Sequence, residues 1–155
     1  MRLTAFTDYT LRTLIYLAQH SDRLVTIQEI AELHGISKSH LTKVVHQLGI
    51  SHKVETIRGR HGGLQLNLPP EEINIGEVVR NTESDFHMAE CFDRHNNTCT
   101  YAGACILKGV LSSATAAYLS VLDAVTLADL VTPKNRTGKI QVLPLSKARR
   151  KTDAT

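Results

Sequence analysis

The sequence contains no tryptophan, and aromatic residues make up only 5% of its 155 positions. A folded core must therefore come mainly from Leu, Ile, Val and Ala. No run approaches the roughly 18 consecutive apolar residues of a membrane-spanning helix. The opening stretch MRLTAFTDY has no signal-peptide core, so the pattern predicts a cytoplasmic protein. Paired carboxylates, a nucleophile triad and a phosphate-cradling glycine loop are all missing from settings where they could act, and an enzyme is not expected. Cysteine is scarce too. There are three, an odd number, all between positions 91 and 105. That is a poor disulfide framework and suits a metal site in a reducing compartment.

What is present is globular in character, with 42% hydrophobic and 21% charged residues. The net charge of +3 conceals a segregation. Residues 1–68 carry 8 basic and 5 acidic side chains, residues 69–132 carry 3 and 9, and residues 133–155 carry 7 and 1. A modestly basic head suits a nucleic-acid reader, whereas the acidic middle does not suit phosphate.

Apolar spacing predicts a helix over 7–19, with Thr7 as its N-cap and Leu11, Leu14, Ile15, Leu17 and Ala18 inward. Thr26-Ile-Gln-Glu29 reads as a capping box for a short helix whose apolar face is Ile27, Ile30, Ala31 and Leu33. Gly35 ends it, and Ser37 caps a further helix over 38–48 with Leu41, Val44, Val45 and Leu48 inward. Two short helices joined by a tight glycine turn match helix-turn-helix geometry. Val54–Ile57 and Leu64–Leu68 alternate like strands around Arg58-Gly-Arg-His-Gly-Gly63, which adds a hairpin wing. A helix follows over 74–83.

Residues 84–104 have no periodicity, and a loop of that length calls for a ligand. A long helix over about 105–125 places Leu107, Leu111, Ala114, Tyr118, Val121 and Val125 at spacings of 4, 3, 4, 3 and 4, a heptad seam that predicts a homodimer. Thr126-Leu-Ala-Asp129 opens a last short helix ended by Pro133. The expected fold is mainly α with a small β-hairpin. It comprises a winged helix-turn-helix DNA-binding domain (1–83), a cysteine-bearing loop (84–105), a dimerisation helix with a short closing helix (105–131), and a basic tail (132–155) expected to be disordered.

In such a head the second helix of the motif enters the major groove of double-stranded DNA. Lys38, Ser39, His40, Thr42 and Lys43 form its polar face: the lysines attract phosphate, while Ser39, His40 and Thr42 can reach base edges. Arg58, Arg60 and His61 at the wing tip suit the sugar–phosphate backbone or the minor groove. The spacing Cys91-x7-Cys99-x5-Cys105 lacks the close cysteine pair of a zinc finger and is no common ferredoxin run. Three soft thiolates suffice for an iron–sulfur cluster with one labile or non-thiolate ligand. A zinc-stabilised DNA-binding protein without sensing remains an alternative on these residues.

The start MRLTAFTDYTLRTLIYLA, the helix-turn-helix, the wing RGRHGG, the segment INIGEVVR, the three cysteines and the close TLADLV together resemble a winged-helix family of bacterial regulators. That family includes nitric-oxide-sensing repressors and regulators of iron–sulfur assembly, and the likeness spans roughly residues 1–131. It implies a homodimer on a two-fold operator, with a 2Fe–2S or 4Fe–4S cluster in each subunit on Cys91, Cys99 and Cys105. It also implies that nitric oxide destroys the cluster and releases DNA. Asp8 matches an aspartate that, in some members, completes the cluster from the other subunit. The iron–sulfur assembly branch has a histidine three residues after the third cysteine, where this chain has Lys108, which favours the nitric-oxide branch over a sensor of iron or cluster supply. The gap from Cys91 to Cys99 is longer than the family usually shows.

Overall fold

The computed structural model describes residues 2–93, 95–101 and 103–132. The predicted basic tail lies outside these, except for Thr132. The first helix, α1, spans Ala5–Gln19 and is capped by Thr4, whose hydroxyl accepts from the Thr7 N–H at 3.2 Å. Thr7 is thus inside the helix and not its cap. It is one of three fully buried threonines, with Thr10 and Thr13, that line the face of α1 turned to the body. The Thr10 and Thr13 hydroxyls donate to the carbonyls of Phe6 and Tyr9 at 2.8 and 2.7 Å, so the burial leaves no unmet donor.

Helices α2 (Ile27–His34) and α3 (Lys38–Ile50) meet at Gly35, which closes α2 in the left-handed conformation at φ 64°. Leu41, Val44, Val45 and Leu48 face inward as the spacing predicts, but Leu33 is 61% exposed. Only half of the capping box at Thr26 forms. Thr26 accepts from the Glu29 N–H, whereas the Glu29 carboxylate bonds chiefly to Arg23 and the Tyr16 hydroxyl. An ionic partner outcompetes a single backbone donor for that carboxylate.

Strands β1 (Val54–Ile57) and β2 (Gly63–Leu66) pair antiparallel, Val54 opposite Leu66. The hairpin is anchored at one edge, where Leu64 and Val25 exchange backbone hydrogen bonds of 2.7 and 3.0 Å. A 3-10 turn at Pro70–Glu72 leads to α4 (Ile75–Thr82), capped by Asn74. Another at Glu90–Phe92 interrupts the long loop, and α5 then runs from Ile106 to Asp123. The closing helix, α6 (Leu127–Val131), has a complete capping box between Thr126 and Asp129.

One aliphatic core gathers Leu14, Leu17, Val25, Ile30, Leu41, Val44, Leu64, Ile73, Val78 and Val79. Leu127 joins them, fully buried, and its N–H donates to the Ile73 carbonyl at 2.8 Å. The chain therefore leaves the head along α5 and returns to it through α6. None of the 18 residues of α5 is buried.

Candidate nucleic-acid interface and cysteine site

All five residues expected on the reading face, Lys38, Ser39, His40, Thr42 and Lys43, are exposed along the first turns of α3. The four buried aliphatics on its opposite face fix its rotation. Ser37 caps the helix, accepting from the His40 N–H, and its Oγ lies 3.2 Å from that of Ser39. Thr42 Oγ1 donates to the Lys38 carbonyl at 2.9 Å, so its hydroxyl proton is committed and its lone pairs and methyl group remain for a partner. The His40 ring lies beside Tyr9 of α1, with ring centres 6.1 Å apart. His46, one turn further on, is exposed as well. It lines a groove between α1 and α3 with Phe6, Thr42, Lys43 and Gln47. His46 was not among the residues expected to face DNA, although it lies four residues after Thr42 on the same face. α3 carries no acidic residue, so nothing on it opposes phosphate.

Arg58, Arg60 and His61 are exposed at the tip of the wing. Gly59 sits at φ 120°, and a Cβ at position 62 would fall 2.1 Å from the Ile57 carbonyl oxygen. The tip can turn this tightly only with glycine there. At the base of the wing, Lys53 is 6% exposed and its Nζ lies 2.7 Å from Glu77 Oε1 on α4. The Asn67 amide donates to the His52 carbonyl at 3.0 Å and closes the turn from which the wing rises.

The cysteines lie on the segment joining α4 to α5. Cys91 is buried in the 3-10 turn, Cys99 is half-buried, and Cys105 occupies the N-cap position of α5, also half-buried. All three are free thiols. Glu90 Oε1 accepts from both the N–H and the hydroxyl of Thr98, each at 2.6 Å, and these bonds hold its carboxyl below the usual range. Asp93 accepts from the His95 and Asn96 N–H groups and is lowered likewise. The Lys108 ammonium lies 5.8 Å from the centre of the Phe92 ring, so the first turn of α5 packs over the turn that carries Cys91. Among the described residues no three Cys, His, Asp or Glu side chains gather into a metal-ligand set. The donor chemistry still fits an iron–sulfur group: three unpaired thiols on one segment, with no competing disulfide.

Asp8 sits in the first turn of α1, its side chain 42% exposed. It is bonded on both oxygens by Arg12, from Nε at 3.0 Å and Nη2 at 2.8 Å. On α5 the expected seam is divided. Leu107, Ala114 and Val121 are exposed, whereas Leu111, Tyr118 and Val125 are half-buried, Val125 against the core and beyond the helix end. Desolvation pushes the Tyr118 phenol up. The uncovered stripe is Leu107, Val110, Ala114, Ala117 and Val121, spaced 3, 4, 3 and 4. At about 100° per residue this face is rotated roughly 40° from the expected one. The reason is that α5 packs against α4, where Arg80 holds Asp123 through two hydrogen bonds.

Residues 3–133 match the family model described as Rrf2, iron-dependent transcriptional regulator. The chain belongs to the Rrf2 family. It is 52% identical over 146 residues to the HTH-type transcriptional regulator NsrR of Bacillus subtilis, covering 94% of this chain and 99% of that one. It is 53% identical over 132 residues to NsrR of Shouchella clausii, covering 84% and 89%. Its fold is that of T. potens IscR, with a TM-score of 0.70 at 24% identity over 90% of this chain and 92% of the other. The Rrf2 assignment makes the protein a DNA-binding transcriptional regulator and not an enzyme. Among the described residues no helix is long and apolar enough to cross a membrane.

Proposed function

We propose that this Rrf2 protein is a cytoplasmic, dimeric repressor that holds an iron–sulfur cluster on Cys91, Cys99 and Cys105 and releases its operator in response to nitric oxide. The observation that carries the reading is the placement of three free thiols on the one segment that links the DNA-reading head to α5. The close NsrR relatives support it. When bound, the cluster supplies iron that reacts with nitric oxide, and its loss is the signal.

Residues of this chain convert that signal into release. Lys38, Lys43, Arg58 and Arg60 attract phosphate, and Ser39, His40, Thr42 and His61 meet the grooves. The stripe on α5 that runs through Leu107, Val110 and Val121 packs on a second copy, which places two reading helices about 34 Å apart on a two-fold site. Asp8 of the partner subunit completes the ligand set. Its present tie to Arg12 is an exposed helix pair worth only about 0.3–0.5 kcal/mol, so exchanging it is cheap. From the cysteine segment the change passes to α4. Arg80–Asp123 ties α4 to the end of α5, and Lys53–Glu77 ties it to the wing base. A usable switch needs a difference of a few kcal/mol in DNA affinity between the two states.

The test is the metal content of anaerobically purified protein. Iron with acid-labile sulfide and a visible spectrum is expected, lost in each of Cys91→Ala, Cys99→Ala and Cys105→Ala while the helical fold persists. Colourless protein with stoichiometric zinc would overturn the reading.

A further inference from the structure

Cys91 and Cys99 are eight residues apart, and an unconstrained chain of that length can extend to roughly 28 Å. Bringing two thiols so separated to one small inorganic group costs loop-closure entropy, and a link that holds the chain closer beforehand lowers that cost. The residue before each cysteine does so. Glu90 and Thr98 are joined through Glu90 Oε1, which accepts the Thr98 N–H and hydroxyl at 2.6 Å each. Within the ring so closed, Asp93 turns the chain back by accepting from the His95 and Asn96 N–H groups and from the Asn96 amide at 3.0 Å. Neither Glu90 nor Thr98 is buried, so no packing demand accounts for the pair.

We propose that Glu90 is the positioning residue of the cysteine site: its carboxylate clasps Thr98 and delivers Cys91 and Cys99 from one anchored base. The inference rests on the cluster reading above. Glu90 touches no iron and acts only through the two thiols beside it.

The test uses the full-length, metal-free protein and diamide, which takes up the two electrons and two protons released when two thiols form a disulfide. Mass spectrometry of the digested protein gives separate rates for the Cys91–Cys99 and Cys99–Cys105 pairs. Glu90→Ala is expected to slow the first about tenfold, the loss of one net charge-assisted hydrogen bond, and to leave the second unchanged. Thr98→Val keeps the N–H and should fall between. Glu90→Gln keeps an acceptor oxygen and should restore most of the rate. After anaerobic reconstitution, Glu90→Ala should lose its visible absorption to a chelator faster than wild type. An unchanged Cys91–Cys99 rate in Glu90→Ala, or an equal fall in both pairs, would overturn the positioning role. If wild type takes up no iron and sulfide, the cluster reading fails, and the metal-free rates still decide whether Glu90 sets the separation.

Discussion

The Lys53 ammonium, buried at the root of the wing, is held 2.7 Å from the Glu77 carboxylate on α4. The pair is asymmetric, with the lysine side chain 8% exposed and the glutamate 55%. Removing the acid strands a desolvated charge, whereas replacing the lysine with an apolar side chain of similar length does not. Glu77→Ala should therefore destabilise the protein by about 2 kcal/mol in chemical denaturation. Lys53→Met should cost less than half as much, yet weaken operator binding with every DNA-facing residue intact. Equal stability of Glu77→Ala and wild type would reduce the pair to a surface contact.

The Tyr16–Glu29–Arg23 group predicts a pH effect. Hydrogen bonds first from Arg23 and then from Tyr16 hold the Glu29 carboxyl at about 2, below its ordinary value of 4.5. A depressed folded value means the stabilisation is present above the unfolded value and is lost as pH falls through the folded one. Melting temperature should drop between about pH 4.5 and 2, and Glu29→Gln should drop less over that window while being less stable than wild type at pH 7. Parallel curves for the two proteins would contradict the pairing.

The exposed stripe on α5 predicts a dimer interface centred on Val110 and Ala114. Val110→Lys should place an unpaired ammonium in that seam and yield monomers in sedimentation. Operator binding should be lost with it, although α3 is untouched. A dimer of unchanged stability in that variant would refute the seam.

Arg58 and Arg60 separate charge from base reading. Either alanine variant should weaken binding alike on different DNA sequences and reduce the log–log salt slope by roughly one unit for each phosphate no longer neutralised. His40→Ala should instead relax preference at one operator position. Salt slopes unchanged in both arginine variants would detach the wing from phosphate.

The head is legible in the sequence because its signals are local. Gly35, Ser37 and the aliphatic spacing of α3 each act within one helical turn, and the structure places them as the spacing predicts. Sequence and structure part where a tertiary partner decides between equal local options. Local spacing points to Thr7 as the cap, and the burial of Thr7 against Thr82, with a 3.0 Å bond between their hydroxyls, leaves that role to Thr4. Glu29 satisfies a capping box on paper until Arg23 claims it. On α5, the sets 107/111/114/118/121 and 107/110/114/117/121 are both heptads, and only the packing of α4 shows which is covered. The Glu90–Thr98 clasp is polar and lies in an aperiodic loop, so no spacing rule marks it.

In the proposed mechanism the cysteine segment governs DNA binding through a nitric-oxide-labile cluster. The direct measurement is operator affinity of the cluster-loaded protein at fixed salt, under anaerobic conditions, titrated with nitric oxide. Affinity should fall by at least tenfold as the visible absorption bleaches, with Cys99→Ala weak from the outset and unresponsive. Bleaching of the absorption with no change in operator affinity would contradict the mechanism.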